Sequence, residues 1–423
     1  MSTVTSAPAT SPASPATATS ETSETSGTSG TSGPTSVQEV LTAAREVADT
    51  LGLDALERDR ANAEPFAEAE QLRRAGLPSI LLPTEIGGGG HPWSVALEVV
   101  REIARTDGSI SQLVAYHYVN AHNLVWVADD EGRQRWGVPS VRSQWLWGDS
   151  VNPVDPDLQL VRVPGSDDYL LRGTKNFSTG ASVGDVTVVG AVTDDTQRNL
   201  LVVVPRETPG FVKGGDWDNL GQRLSASGSV RFEDVRITPD AVLGSAEDSG
   251  VYGSLVTPAI QAAFGHFYLG VTRGALETAA DYTRTTTRPW LLSDVTDATE
   301  DPYILATYGR LVARLRAAEA LGRSVGESLS QAHARGCDLT WAERGEVAEE
   351  IAALKVVSSD LAIETTSAIY EVTGARASSN RYGFDRFWRN VRTHTLHDPV
   401  QYKAREVGRH FLTGEYPGFT LYT

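Results

Sequence analysis

The chain has 423 residues, a formal net charge of −17, 40% hydrophobic and 22% charged residues, which is an ordinary globular balance with room for two or three domains. The acidic surface repels phosphate backbones and argues against nucleic acid, and no run of about eighteen apolar residues is present to span a membrane. Cys337 is the single cysteine, so no internal disulfide can form; a reducing, cytoplasmic setting fits.

Residues 1–36 are almost wholly Ser, Thr, Ala, Pro and Gly. Such a segment buries too little apolar area to offset the entropy of ordering, so a disordered tail is predicted. It has neither the basic start nor the apolar stretch of a signal peptide. From 37 to 143 the period is helical. "SVQEVLTAAREVADTLGLDALERDRANAEP" places apolar residues at three- and four-residue spacing after Ser36, a candidate cap. "EAEQLRRAGLPSILLP" predicts a short helix, a glycine break and an extended apolar piece. "TEIGGGGHPW" reads as a loop, since no helix follows to make a phosphate loop of it. "SVALEVVREIARTDGSISQLVAYHYVNAHNLVWVA" predicts two helices broken at Asp107-Gly108.

The pattern changes at 144. "DLQLVRV", "YLLRGTKNF", "DVTVVGAVT", "NLLVVVP" and "SVRFEDVRI" are short, β-branched and separated by turn residues, which predicts a β domain over 144–243. The helical period returns over 244–423. Its long stretches are "VTPAIQAAFGHFYLGVTRGALETAADYTRTTT", "YILATYGRLVARLRAAEALGRSVGESLSQAHA" and "TWAERGEVAEEIAALKVVSSDLAIETTSAIYEVTG". The many small residues of the first let helices approach closely, as in a bundle.

Several clusters are chemically suggestive. In "RYGFDRFWRNVRTHTLHDPVQYK" (381–403), a helix would gather Phe384, Phe387, Trp388, Val391 and Thr395 on one face and set Arg386 and Arg389 opposite. His394 and His397, one turn apart, would lie on the flank, with Asp398-Pro399 ending the helix. Such histidines suit a helix C-terminus through the dipole; no third or fourth ligand completes a metal site. "LRGTKNFSTGASVGD" (171–185) runs from a strand into a loop whose hydroxyls and free backbone N–H groups could meet a planar polar ligand. Gln112, Tyr116 and Asn120 recur every four residues on one helix face. Trp145 and Trp147 share a strand face and read as core.

The order of these parts, with "LLPTEIGGGG", "TDGSISQLVAYH", "LRGTKNFSTGA", "YTRTTTRPW", "ATEDPY" and "RYGFDRFWRNVRTHTLHDPVQYK" in sequence, resembles the acyl-CoA dehydrogenase superfamily over about residues 37–420, and within it the flavin-dependent monooxygenase branch. The resemblance implies an α+β fold: an N-terminal helical domain, a middle β-barrel or sandwich domain and a C-terminal four-helix bundle, usually assembled as a homotetramer. It implies a two-component enzyme, with reduced FMN (or FAD) delivered by a separate NAD(P)H:flavin reductase. Oxygen would add at flavin C4a, and the distal oxygen would pass to a small substrate. Sulfur of a heteroaromatic or organosulfur compound is the first expectation, N-hydroxylation of an amine or aromatic C-hydroxylation the second. An acyl-CoA dehydrogenase-type flavoenzyme is the further alternative, although "LHDP" stands where those enzymes carry their catalytic glutamate. A flavin-binding protein without turnover is the non-enzymatic one.

By the same resemblance, His397 hydrogen-bonds the C4a-hydroperoxide and His394 holds the flavin. A peroxide needs a proton donor and a dry cavity, and imidazole can supply that proton near neutral pH. Tyr116 resembles an active-site tyrosine, Phe177 and Trp217 aromatic walls. Arg288 resembles an arginine that reaches the flavin phosphate from another subunit, where a guanidinium fork suits the phosphate; Arg376 is a further flavin contact. The chain departs from the branch at three positions. Gln112 stands for a pocket histidine, Asp149 for an asparagine near the flavin and Thr179 for a loop serine. These changes imply retained oxygen activation with an altered substrate; Asp149 could pair with an amine or bind flavin.

Overall fold

The computed structural model describes residues 33–420 and Tyr422; the tail predicted over 1–36 lies outside the described residues up to position 32. Six helices come first: α1 (Val37–Gly52), α2 (Ala55–Ala61), α3 (Phe66–Arg74), α4 (Trp93–Ala104), α5 (Gly108–Trp126) and α6 (Asp130–Ser143). Ser36 and Glu39 close a capping box that starts α1. The Asp107-Gly108 break is real and has a local cause. One Asp107 carboxylate oxygen accepts from the N–H of Ser109 and Ile110 at 3.0 and 3.1 Å, and the other accepts from Arg58 at 2.6 Å, so the residue caps α5. α5 is buried on nearly every side and runs through the centre of the molecule.

The piece after Gly76 is not extended. Residues 77–82 form consecutive turns, because "GGGG" folds back over them: the N–H groups of Gly89, Gly90 and His91 donate to the carbonyls of Ser79, Leu82 and Ile80. A side chain at Gly88 or Gly89 would collide with those carbonyls, which explains the glycine run.

Eight strands follow: β1 (Trp147–Ser150), β2 (Leu158–Arg162), β3 (Tyr169–Lys175), β4 (Val186–Thr193), β5 (Asn199–Pro205), β6 (Phe211–Lys213), β7 (Val230–Ile237) and β8 (Val242–Gly244). The sheet order is β6-β7-β3-β2-β4-β5-β8. β1 and β2 lie in line along one edge of β4, both parallel to it, with Asp149 opposite Val188 and Leu158 opposite Ala191. One sheet face closes on its own core of Leu158, Leu171, Val202, Phe232 and Val235. At the other, Trp147, Val188 and Val203 pack with Leu124 of α5. The Trp147 N–H donates to His117 Nδ1 at 3.0 Å, so β1 is pinned to α5.

The C-terminal part comprises α7 (Gly250–Gly253), α8 (Val256–Thr285), α9 (Pro302–Ala334), α10 (Trp341–Thr373), α11 (Asp385–His394) and α12 (Val400–Thr413). α8 is central. Gly270 and Gly274 press on the Arg101 and Arg105 carbonyls of α4, and Gly265 on Leu354 of α10, at contacts a larger side chain would block. α8 and α10 run parallel: Lys355 Nζ donates to Gln261 Oε1 (2.6 Å) near one end, and Thr283 Oγ1 to the Val372 carbonyl (3.1 Å) at the other. Among the described residues, no helix is long and apolar enough to cross a membrane.

The 381–403 stretch departs from the sequence reading. α11 ends at His394, and tight turns (Leu396 N–H to Thr393 O, 3.2 Å; His397 N–H to His394 O, 3.1 Å) carry His397 beyond the helix. His394 does not sit on a flank; it is fully buried, because Phe264 and Phe267 of α8 cover it.

Candidate active site

His394 and His397 stand where α11 meets α5 and α8. Their rings are nearly parallel, with centroids 6.3 Å apart. His394 stacks on Phe267 at 4.3 Å, and its Nδ1 is 2.8 Å from the Tyr268 hydroxyl. Burial raises the Tyr268 phenol well above its ordinary value, so it keeps its proton and donates it to Nδ1. Burial, then the neighbouring His397 and Lys355, hold His394 well below the ordinary histidine value, so it is neutral. Its one ring proton therefore lies on Nε2, a buried atom without a partner among the described residues.

His397 is more open, with 36% of its side chain exposed. Its Nε2 lies 2.8 Å from the Tyr116 hydroxyl and its Nδ1 3.1 Å from Asp398 Oδ1. Burial would raise the Asp398 carboxyl, but the His397 hydrogen bond and the Lys355 ammonium outweigh it and hold Asp398 below the usual carboxylate range. Asp398 thus stays a carboxylate, an acceptor facing His397 Nδ1, while the Tyr116 hydroxyl faces Nε2. That phenol is raised well above its ordinary value by burial, then by the Asp149 and Asp398 charges.

Asp149 reaches the same helix from β1. Asn120 Nδ2 donates to its Oδ1 at 3.1 Å and to the Tyr116 carbonyl at 2.9 Å. Its Oδ2 has only a long contact, 3.5 Å, from the Val151 N–H. Burial pushes the Asp149 carboxyl up to about 6. Gln112, one turn before Tyr116, is buried, and its Oε1 has no partner among the described residues. The α5 stripe is therefore a lining of buried polar groups and not a solvated face.

The loop after β3 differs from its sequence reading. Its backbone N–H groups are mostly engaged: Ser178 with the Gly228 carbonyl (3.1 Å), Thr179 with Phe177 (3.0 Å), Gly180 with Ala226 (2.9 Å) and Ala181 with Ser178 (3.1 Å). The Thr179 hydroxyl pairs with Ser227 at 2.9 Å, and the Thr179 carbonyl accepts from the Asp149 N–H at 2.8 Å. What the loop does offer is Phe177. This bulky residue has a left-handed backbone (φ 58°) and is 60% exposed, edge-on to half-buried Trp217 with centroids 6.0 Å apart. A strained, exposed aromatic is a mark of function more than of packing.

Arg288 and Arg376 are elsewhere. Arg288 follows the far end of α8 and Arg376 the far end of α10. At about 1.5 Å per helical residue, that is about 30 Å from the histidines. Both are exposed, and neither side chain makes a hydrogen bond or ion pair among the described residues. Phe264, Phe267, Tyr268, Lys355 and Asp398 were not singled out as site residues from the sequence. The one available signal was Lys355 inside "AALKVVSSD", a charge on an otherwise apolar helix face.

Known proteins share this fold. The chain matches the acyl-CoA dehydrogenase N-terminal domain over 35–144, the middle domain over 156–235 and the C-terminal domain over 262–402. It is 39% identical over 396 residues to dibenzothiophene monooxygenase of Rhodococcus qingshengii, covering 90% of this chain and 95% of that one. Among solved structures it resembles FMN-bound TdsC from Paenibacillus sp. A11-2, with 40% identity, a TM-score of 0.88 and coverage of 91% and 100% of the two chains. It also resembles methanesulfinate monooxygenase MsuC from Pseudomonas fluorescens, with 36% identity, a TM-score of 0.87 and coverage of 90% and 99%. Fold, domain matches and identity across nearly the whole chain agree: the chain belongs to the acyl-CoA dehydrogenase family, within the monooxygenase group that includes dibenzothiophene monooxygenase.

Proposed function

We propose that this protein is a two-component flavin-dependent monooxygenase that uses reduced FMN, with FAD as the alternative, and O2 to oxygenate a small organosulfur compound. A separate NAD(P)H:flavin reductase supplies the reduced flavin. The observation that carries the reading is the Tyr116–His397 hydrogen bond at 2.8 Å beside a buried His394 whose Nε2 has no partner. A polar planar group fits there: it can accept from His394 Nε2, donate to Gln112 Oε1 and rest against the exposed Phe177. Bound flavin supplies two electrons; one atom of O2 enters the substrate and the other leaves as water. A C4a-hydroperoxide would form within reach of His397. The residues bind and orient: His394 donates at Nε2, His397 and Tyr116 hold a proton at the rim, and Phe264 with Phe267 exclude water behind them.

A homotetramer belongs to the same proposal. Arg288 lies too far from this chain's own histidines to reach a flavin there, so it serves a neighbouring copy. N-hydroxylation of an amine is the second reading. It is favoured by Asp149, a buried carboxyl pushed up to about 6 that a cationic amine would keep ionised. The acyl-CoA dehydrogenase alternative lacks support at "LHDP", since Asp398 is tied to Lys355 and His397. The test is turnover with reduced FMN and 18O2 on dibenzothiophene, methanesulfinate and an aromatic amine. One 18O atom in a sulfur product is expected; label only in the amine product selects the second reading, and no labelled product from any substrate contradicts both.

A further inference from the structure

Behind His397 lies a buried charge that the proposed chemistry does not use directly. Lys355 of α10 is 1% exposed, and its Nζ donates to Asp398 Oδ1 and to Gln261 Oε1 of α8. The same Asp398 oxygen accepts from His397 Nδ1. Tyr116, His397, Asp398, Lys355 and Gln261 therefore form one continuous chain of hydrogen bonds from the open rim into the bundle, drawn from four elements far apart in sequence. Leaving a lysine in such a place is costly unless it is paired and bonded, yet an apolar residue would fill the space between α8 and α10 as well.

We propose that Lys355 is a positioning residue which, through Asp398, fixes His397 as the tautomer with Nδ1 protonated and Nε2 free to exchange a proton with Tyr116. This rests on the monooxygenase reading for its use, but not for its test. The electrostatics follow from the geometry. An unpaired Asp398 carboxylate beside Nδ1 would favour the imidazolium; Lys355, bonded to the same oxygen, offsets that charge. Burial pulls the Lys355 ammonium down to about 8, against the Asp398 charge, so it remains a cation at neutral pH. The other titratable groups facing this chain are Tyr268 and His394 from α8 and α11, Asp149 from β1 and Tyr422, which stands near Asp398 and Tyr116; Lys403 and Glu406 of α12 stand beside Lys355.

The test is NMR of the full-length protein labelled with 15N-histidine, without flavin, the His397 signals being assigned by their loss in His397→Gln. In the unaltered protein at neutral pH, Nδ1 should carry the proton and Nε2 should not; the opposite tautomer overturns the proposal with no variant needed. In Lys355→Gln, which keeps a hydrogen bond to Asp398 but not the charge, the His397 titration midpoint should rise by about one pH unit or more. In Asp398→Asn the tautomer should switch to Nε2–H. A His397 midpoint and tautomer unchanged in whichever variant folds, judged by circular dichroism, overturns it. Failure of the flavin reading would show as absent oxygenation with the tautomer as stated; failure of this proposal would show in the spectrum alone.

Discussion

The two ends of the α8–α10 pair are built differently. At the histidine end, polar side chains are buried and bonded within one chain: His394 to Tyr268, His397 to Tyr116 and Asp398, Lys355 to Gln261. At the other end, Arg288 and Arg376 are exposed, and Trp290, Leu291 and Leu292 are 70%, 89% and 79% exposed. A single chain completes the first end and leaves the second without partners for its basic and apolar groups. On the proposed reading, chemistry and cofactor anchoring are separated along the bundle, with a second copy supplying the anchor.

The most severe way to break the comparison is at the histidine end. His397→Ala should lower oxygenation by about 10²–10⁴-fold, while oxidation of reduced FMN continues and hydrogen peroxide appears in place of product. Product yield against peroxide yield measures this. Lys355→Ala should cost about 3–5 kcal/mol of stability by stranding Asp398 in the interior, read by urea denaturation; Arg376→Ala, at the exposed end, should cost under about 0.5 kcal/mol.

Asp149 sharpens the contrast through pH. Its folded value, about 6, is raised above the unfolded one, so the native state binds more protons between roughly pH 4 and 6. Its favourable contribution is complete below about pH 4 and lost as pH rises through 6. Asp149→Asn should therefore gain up to about 3 kcal/mol over the parent at pH 7 and nothing at pH 3.5, by thermal melts across that range.

Arg288→Ala should weaken FMN affinity about 10–100-fold with an unchanged melting temperature, as loss of a charge-assisted phosphate contact implies. Mixing Arg288→Ala and His397→Ala subunits by co-expression should restore part of the activity, since some sites then combine an intact arginine with an intact histidine. No restoration would place both residues in the same chain's site. Phe177→Gly should gain about 1 kcal/mol by relieving a left-handed backbone while raising KM.

The sequence was legible where local chemistry decides the outcome. Asp107-Gly108 breaks α4 from α5 because an aspartate there caps the second helix, and β2, β3, β4, β5 and β7 are long enough to carry a pattern. β6 and β8, three residues each, are not. By resemblance the sequence pointed to Tyr116, His394 and His397, which the fold brings together. Its supporting groups were not, because Tyr116 and His397 are 281 residues apart and Lys355 meets Asp398 only when α10 packs beside the turn after α11. In the loop after β3, the N–H groups of Ser178 and Gly180 were misjudged for the same reason: their acceptors, Gly228 and Ala226, lie far along the chain.

The central claim is that this site reacts reduced flavin with oxygen in a controlled way. Stopped-flow absorbance after mixing anaerobic protein and reduced FMN with oxygenated buffer tests it most directly. The account predicts a transient oxygenated-flavin band that outlives free flavin oxidation and decays faster when an organosulfur substrate is added. Immediate conversion to oxidised flavin, with FMN and again with FAD, would contradict it.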